Sequence, residues 1–316
     1  MNKIMKLFIV FSLGFMCYGC VAQSEKVKVA VIVKSTTSQF FKSVASGANA
    51  ASKEYNIDLQ FMGPNNEEDY MSQVAMVEKA IEEQVDAIVL SSIDYKQLVP
   101  PVEKAIEKGI PVVIIDSDVD CDKVASRIAT NNYEAGIMAS VIIEKQKKSN
   151  INVGIVNFDA HTANGQEREN GFKQGLKKQT NIESVETINV QSNIESATIG
   201  TKKILADHPN IDLLVTFNEW TTLGVGKAME EEGLNDKIFV IGFDNNPISV
   251  GMLETGALDA LVVQNPFVMG YLGVERALDV VNKKHLKEVN IFTKTVVINK
   301  ENMFDKENQK IVFPFE

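Results

Sequence analysis

The chain alternates short apolar runs with longer segments in which apolar residues recur at helical spacing. The runs are rich in Val and Ile and fall at 27–33, 57–62, 86–90, 111–115, 153–158, 185–190, 212–217 and 238–243. A continuous apolar run bounded by polar or turn residues is typical of a strand buried on both faces, as in parallel sheets covered by helices. The pattern therefore predicts an α/β protein.

Two of the intervening segments have a clear helical period. Apolar residues recur every three or four positions from Phe40 to Tyr55 and again from Tyr70 to Gln84. Each segment is therefore predicted to be a helix with one apolar stripe against a sheet. Gly109-Ile110-Pro111 is typical of the end of a helix and the start of a strand.

The strand pattern occurs twice along the chain. Asp86 and Asp212 begin corresponding runs 126 residues apart, and Asp116 and Asp244 follow corresponding runs 128 residues apart. A single sheet of about ten parallel strands would be unusually wide. We therefore expect two similar doubly wound parallel-sheet lobes.

Polar residues follow nearly all of these runs. In open parallel sheets, ligands bind beyond the carboxyl ends of the strands. The candidates are Lys34, Ser38, Ser91, Asp116, Asn218, Trp220, Asp244 and Gln264. Two lobes whose polar strand ends face each other would form a cleft suited to a small ligand with many hydroxyl groups.

Composition and charge limit the function classes. The chain has 316 residues, of which 45% are apolar and 23% charged, enough for two domains with separate cores. Its net charge is −10, and removal of an export segment containing two lysines would leave about −12. The basic runs at 145–148 and 283–284 are short and lack interleaved aromatic residues, so we expect no nucleic-acid partner.

The first residues resemble an export signal. Lys3 and Lys6 precede an apolar stretch from Leu7 to Phe15 that is too short to span a bilayer. Cys17-Tyr18-Gly19-Cys20 resembles a bacterial lipoprotein cleavage box, which predicts a signal peptide over 1–20 and a lipid at Cys20. Plain signal cleavage after Ala22 is the alternative. Either process would place the protein outside the cytoplasmic membrane.

No motif for catalysis or metal binding is evident. His161, His208 and His285 lie far apart, and Cys121, the one cysteine beyond the N-terminal segment, can form no internal disulfide. Gly224-Val225-Gly226-Lys227 is the nearest approach to a phosphate loop and falls in a predicted apolar helix. We therefore expect neither a metal site nor a cofactor.

Asp116 and Asp244 could be the paired carboxylates of a glycosidase, since both would face the cleft. Their positions at equivalent ends of duplicated strands favour paired acceptors for ligand hydroxyl groups instead. We therefore expect a binding protein that catalyses no reaction.

With these residues in view, the chain resembles the type I periplasmic solute-binding proteins, in particular the ribose-binding branch of sugar receptors. The resemblance runs from Val27 to about Val312. It rests on Gln39-Phe40-Phe41, on Gly109 to Val113 leading to Asp116, on Glu167 to Phe172, on Asn218-Glu219 and on Gly242-Phe243-Asp244. Each piece is weak alone, but five in the same order are specific.

The resemblance implies roles for most of the candidates. Phe40 and Phe41 would pack on the faces of a sugar ring, Asp116 and Asp244 would accept hydrogen bonds, and Arg168, Asn218 and Gln264 would contact ligand oxygens. Ser38 and Ser91 stand where ribose receptors have asparagines, and Ser117 stands where they have an arginine, so ribose itself is in doubt. Lys34 and Trp220 are further candidates.

Other roles remain open for four of these residues. Phe40 lies on the apolar stripe and could be core. Arg168, between two glutamates, could form a surface ion pair. Asn218 could cap the following helix, and Trp220 could pack in the interior.

The resemblance also implies three crossovers between the lobes, near residues 130, 264 and 293. The N-terminal lobe would be 25–130 plus 265–293, and the C-terminal lobe 131–264 plus 294–316. A ligand held by both lobes would stabilise a closed state. We expect the protein to be a monomer that presents its ligand to the permease of an ABC importer. Among ligand classes, sugars are favoured. The alternative partner is a membrane sensor protein. A third possibility, the ligand-binding core of a sugar-responsive repressor, is disfavoured by the export segment.

Overall fold

The computed structural model describes residues 26–144, 146, 148–158 and 160–312. The predicted export segment, Cys20 and residues 313–316 of the predicted C-terminal lobe lie outside the described residues. Within the described part of the chain, no helix is long and apolar enough to cross a membrane.

The described residues form twelve strands and ten helices, and eight of the strands coincide with the predicted apolar runs. The strands are β1 (Lys28–Ile32), β2 (Asp58–Met62), β3 (Ala87–Leu90), β4 (Val112–Ile115), β5 (Ser126–Ala129), β6 (Ile151–Phe158), β7 (Ile182–Val190), β8 (Leu213–Thr216), β9 (Phe239–Phe243), β10 (Ala260–Val263), β11 (Asn290–Phe292) and β12 (Val296–Asn299). The helices are α1 (Gln39–Glu54), α2 (Tyr70–Glu82), α3 (Val99–Glu107), α4 (Asn132–Glu144), α5 (Ala163–Leu176), α6 (Ile194–Asp207), α7 (Glu219–Glu232), α8 (Pro247–Thr255), α9 (Pro266–Val281) and α10 (Lys306–Val312).

These elements build two six-stranded sheets. One has the order β11-β5-β4-β3-β1-β2, and the other has the order β12-β10-β9-β8-β6-β7. All strands of the first sheet pair in parallel. The predicted fold class, two similar α/β lobes, is confirmed. We call the lobe containing the first sheet the N-lobe and the other the C-lobe.

Each sheet is covered by helices on both faces, which explains the continuous apolar runs. In β3, Ala87 and Val89 join the apolar cluster beneath α1 and α9, whereas Ile88 and Leu90 join the cluster beneath α2 and α3. Successive side chains of a strand point to opposite faces, so a strand buried on both sides has no polar positions. The same holds in the C-lobe, where α4 and α5 cover one face and α6 to α8 the other.

One edge of the C-lobe sheet departs from the predicted all-parallel arrangement. β12 pairs antiparallel with β10. Its predecessor, β11, leaves the N-lobe sheet at that sheet's carboxyl edge and reaches β12 through residues 293–295 without a helix. The chain therefore enters the second sheet from the cleft side and must run opposite to its neighbours.

Close helix packing positions part of the cleft. A Cβ atom on Gly136 of α4 would lie 2.1 Å from the carbonyl oxygen of Arg168 on α5, and one on Gly171 would lie 2.0 Å from the carbonyl oxygen of Tyr133. Only glycine permits this approach. The contact fixes α5, and with it Arg168, against the rest of the C-lobe.

Candidate functional site

A small cavity lies between the two lobes, beyond the carboxyl ends of their strands. It is lined by Lys34, Phe40, Phe41, Glu67 and Asp116 of the N-lobe and by Phe158, Asn164, Arg168, Asn218, Glu219, Asp244 and Gln264. All twelve side chains are buried.

Asp116 and Asp244 occupy equivalent positions in the two lobes. Each follows the last residue of its strand, β4 or β9, and each has a left-handed backbone, with φ of 57° and 65°. The backbone N–H of Asp116 donates to Ile128 O (3.1 Å) and that of Asp244 to Val262 O (3.0 Å). Aspartate tolerates this conformation better than most residues, and strained backbone of this kind clusters at functional sites. The duplicated geometry directs two carboxylates into one cavity.

Arg168 is buried, with 1% of its surface exposed. Its Nε donates to Asn132 Oδ1 (2.9 Å), Nη1 to the carbonyl oxygen of Phe217 (2.6 Å) and Nη2 to Gln264 Oε1 (2.7 Å). Its guanidinium carbon lies 5.0 Å from the centre of the Phe243 ring. The alternative of a surface ion pair is wrong, because the guanidinium is held by neutral oxygens inside the protein.

Asp244 has a strongly perturbed acidity. Burial raises its pKa to about 7, against the opposing influence of Arg168 and of the hydrogen bond from Gln264. Gln264 Nε2 donates to Asp244 Oδ1 at 2.6 Å. The negative charges of Glu219 and Asp116 raise the pKa further. The carboxyl group is therefore divided between its charged and neutral forms near neutral pH.

Lys34 and Glu67 form a buried ion pair on the N-lobe side. Lys34 Nζ lies 3.9 Å from Glu67 Oε2 and 5.4 Å from the centre of the Phe158 ring. Burial raises the pKa of Glu67, while Lys34 and the hydroxyl of Ser192 oppose the rise. The Lys34 ammonium group retains donors for a ligand.

The aromatic side chains form one wall. The rings of Phe40 and Phe41 meet edge to face, with centroids 5.1 Å apart. Both rings line the cavity and also pack in the N-lobe apolar cluster, so the core role is confirmed and the ligand role stays a prediction. Phe158 adds a third ring from the C-lobe.

Ser38 and Ser91 lie behind the lining residues. The Ser38 hydroxyl accepts from Phe41 N and so caps α1. The Ser91 hydroxyl donates to Asp116 Oδ2 at 2.8 Å. Neither serine lines the cavity; Ser91 holds Asp116 in place, and Ser38 holds Phe41 and also hydrogen-bonds the Glu219 carboxylate.

Asn218 caps a helix and also lines the cavity. Its side-chain oxygen accepts from Thr221 N (2.9 Å) and caps α7, while Nδ2 donates to Ser192 Oγ (2.7 Å) at the cavity wall.

Trp220 is not among the residues that line the cavity. It packs partly buried against the C-lobe apolar cluster. Successive helical residues point about 100° apart. At the start of α7 the Glu219 side chain therefore reaches the cavity and the neighbouring Trp220 turns away from it.

Sequence reasoning missed four lining residues: Glu67, Phe158, Asn164 and Glu219. Glu67 follows β2, so a complete survey of strand ends would have found it. Phe158 is indistinguishable from core at the end of an apolar run. Asn164 Nδ2 donates to Asp116 Oδ1 (3.4 Å) from the opposite lobe, a contact that only the fold reveals.

No three His, Cys, Asp or Glu side chains among the described residues are grouped so that they could hold a metal ion.

Comparisons with known proteins place this chain in a family. Residues 29–285 match the family described as periplasmic binding protein domain. The D-allose-binding periplasmic protein of Escherichia coli strain K12 is 27% identical over 88% of this chain and 92% of its own.

Two solved structures are similar along nearly their whole length. A solute-binding protein from Agrobacterium Radiobacter in complex with D-arabinose superposes with a TM-score of 0.87 at 28% identity, covering 92% of this chain and 99% of its own. One from Agrobacterium vitis with bound D-fucose has a TM-score of 0.86 at 33% identity, covering 90% and 100%. The chain belongs to the periplasmic binding protein domain family and has its type I fold.

Proposed function

We propose that this protein is an extracytoplasmic solute-binding protein that closes on a monosaccharide and delivers it to an ABC importer. The observation that carries the proposal is the cavity between the lobes, where buried acceptors and donors from both lobes converge. The sugar complexes of its relatives support the same ligand class.

The lining residues suit an aldose in complementary ways. Asp116 and Asp244 supply acceptors for ligand hydroxyl groups, and Arg168 and Lys34 supply charged donors. The rings of Phe40 and Phe41 suit the apolar faces of a pyranose or furanose ring. A ligand that lacks a matching hydroxyl leaves a buried group unpaired at a cost of about 1–3 kcal/mol, which is the basis of specificity.

Closure would occur about the three segments where the chain passes between the sheets, near residues 130, 264 and 293. The proposed lobes are 25–130 with 265–293 and 131–264 with 294–316. Gln264 lies in one of these segments, and its Oε1 accepts from both Thr130 and Arg168. The hinge and the ligand site would therefore share one hydrogen-bond network.

The partner and the location follow from the same proposal. A monomer anchored by a lipid at Cys20, after cleavage of residues 1–20, would present its two closed lobes to a membrane permease. A ligand held between the lobes would stabilise their closed arrangement. A permease that contacts both lobes would thus distinguish loaded from empty protein.

The experiment is a thermal-unfolding screen against aldoses, ketoses, polyols, amino acids and nucleosides. A ligand at about a hundred times its dissociation constant adds about 2.7 kcal/mol to the free energy of unfolding. We expect a large shift with one or a few aldoses, strongly reduced in Asp116→Asn and Asp244→Asn. The exposed Asp58→Asn is the matched control and should retain the shift. A shift with amino acids or nucleosides and none with sugars would overturn the ligand class.

A further inference from the structure

Glu219 connects the two lobes although it is the first residue of a C-lobe helix. Its Oε1 accepts from the backbone N–H of Gln39 and its Oε2 from that of Phe40, both at 3.2 Å. Gln39 and Phe40 are the first two residues of α1 in the N-lobe. The third N–H of α1, that of Phe41, is satisfied within its own lobe by Ser38.

The contact is chemically strong because of where it lies. The first N–H groups of a helix lack partners within the helix and carry a partial positive charge. A carboxylate that accepts hydrogen bonds from two of these N–H groups supplies both missing partners and offsets their partial positive charge. In the present arrangement the opposite lobe supplies this carboxylate, so the contact exists only while the lobes are together.

The Glu219 carboxylate is itself held in place. Asn246, the N-cap of α8, donates from Nδ2 to Glu219 Oε1 at 3.0 Å. The capping box formed by Asn218 and Thr221 orders the first turn of α7, from which Glu219 projects. Its position is therefore fixed by the C-lobe before the N-lobe arrives.

A second pair of contacts runs in the opposite direction. The backbone N–H of Ser192 donates to Glu68 Oε1 (2.5 Å), and its hydroxyl donates to Glu67 Oε2 (2.9 Å). Ser192 immediately precedes Asn193, the N-cap of α6 in the C-lobe. Each lobe thus supplies a carboxylate to N–H groups at or next to a helix start of the other.

We infer that Glu219 is a positioning residue that latches the cleft and lowers the free energy of the closed state without needing a ligand. It also orders the first turn of α1, which carries Phe40 and Phe41. Its effect on ligand affinity rests on the proposed function, whereas the latch itself does not. The ligand would bind tightly because part of the closing free energy is already supplied by protein contacts.

Gln39→Pro tests the latch from the N-lobe side. Proline is well tolerated at the first helical position and removes only its N–H. The Gln39 side chain is exposed, and Ser38 already has the extended backbone that precedes proline readily, with φ −71° and ψ 148°. The variant should therefore fold while losing the hydrogen bond to Glu219.

Glu219→Gln tests the same contact from the C-lobe side, and Glu230→Gln, an exposed position on the same helix, is the matched control. Small-angle X-ray scattering of the ligand-free variants should show a larger radius of gyration for Gln39→Pro and Glu219→Gln and no change for Glu230→Gln. Sugar affinity should fall about tenfold in both, and saturating sugar should restore the compact form. Because both variants weaken the same interaction between Glu219 and α1, the double variant should lose less affinity than the sum of the two single losses.

Unchanged ligand-free scattering in both variants would overturn the latch. So would an affinity loss in Glu219→Gln alone, because it would identify Glu219 as a direct ligand contact. If the unaltered protein binds no sugar, the proposed function fails, but the scattering comparison still decides the latch.

Discussion

The ends of β4 and β9 have the same backbone and different chemistry. Asp116 and Asp244 share a left-handed conformation and a hydrogen bond to the neighbouring strand. The Asp116 carboxylate accepts hydrogen bonds from Ser91 and Asn164. The Asp244 carboxylate accepts a hydrogen bond from Gln264, and the positive charge of Arg168 lowers its pKa.

The comparison separates two requirements of a binding site. The repeated α/β architecture places an acceptor at each strand end, and the neighbouring side chains decide how that acceptor behaves. In the C-lobe, burial raises the pKa of Asp244 to about 7, so its charge depends on pH in the physiological range. The two lobes should therefore contribute differently to ligand binding.

The largest expected effect comes from removing the charge beside Asp244. Arg168→Met leaves Asn132 Oδ1 and the carbonyl oxygen of Phe217 without this donor inside the protein, and Gln264 Oε1 keeps only the hydrogen bond from Thr130. Each unpaired buried group costs about 1–3 kcal/mol, so the free energy of unfolding should fall by about 3 kcal/mol or more. Sugar affinity should fall at least about a hundredfold. Chemical denaturation and titration calorimetry measure the two effects.

Arg168→Lys is the control for charge alone. Lysine keeps the positive charge but cannot reproduce the three divergent N–H contacts. We expect partial recovery of stability and little recovery of affinity. Full recovery of both would contradict a role based on the guanidinium geometry.

The next effect is a pH dependence assigned to Asp244. Ligand hydroxyl groups donate to the charged carboxylate, so binding should release a proton where ligand-free Asp244 is partly protonated. Affinity should therefore rise by up to about tenfold per pH unit below pH 7 and level off above it. Calorimetry in buffers of different ionisation enthalpy measures the proton released.

The ligand-free stability should change in the opposite sense. The folded pKa of about 7 is raised from 3.8, so the folded protein binds more protons than the unfolded chain between these values. The contribution of Asp244 to the free energy of unfolding is thus greatest below about pH 4 and declines as pH rises to 7. Asp244→Asn should remove this contribution and the pH-dependent part of sugar affinity. If Asp244→Asn kept the pH dependence of affinity and stability seen in the unaltered protein, the assignment of that dependence to Asp244 would be wrong.

Most of the fold could be predicted because buried parallel strands have a recognisable pattern of apolar residues in the sequence. Runs such as 87–90 and 213–215 are apolar throughout, and the repetition of such runs indicates duplication. β5 is harder to predict, because its Ser126 and Arg127 interrupt the apolar pattern. β12 is harder still, since its direction depends on the short link from the other lobe and not on its own residues.

The candidate site was predictable where a residue's position along a strand fixes its direction. Asp116 and Asp244 follow strands directly, so their places are set by local geometry. Glu219 and Asn164 depend on the approach of the opposite lobe, which no local pattern encodes. Arg168 needed the family resemblance, because its burial follows from the close packing of α4 on α5.

The smallest expected effect tests the placement of Trp220. Its indole packs against the C-lobe apolar cluster, so Trp220→Phe should lower the free energy of unfolding by about 1 kcal/mol and leave sugar affinity within about twofold. Phe41→Leu, which replaces a ring that lines the cavity, is the comparison and should lower affinity more than stability. Thermal unfolding and calorimetry on both variants measure the two quantities. If Trp220→Phe lowered sugar affinity as much as Phe41→Leu, the indole would have to contact the ligand. A side chain confined to the core affects affinity only through the stability of the fold.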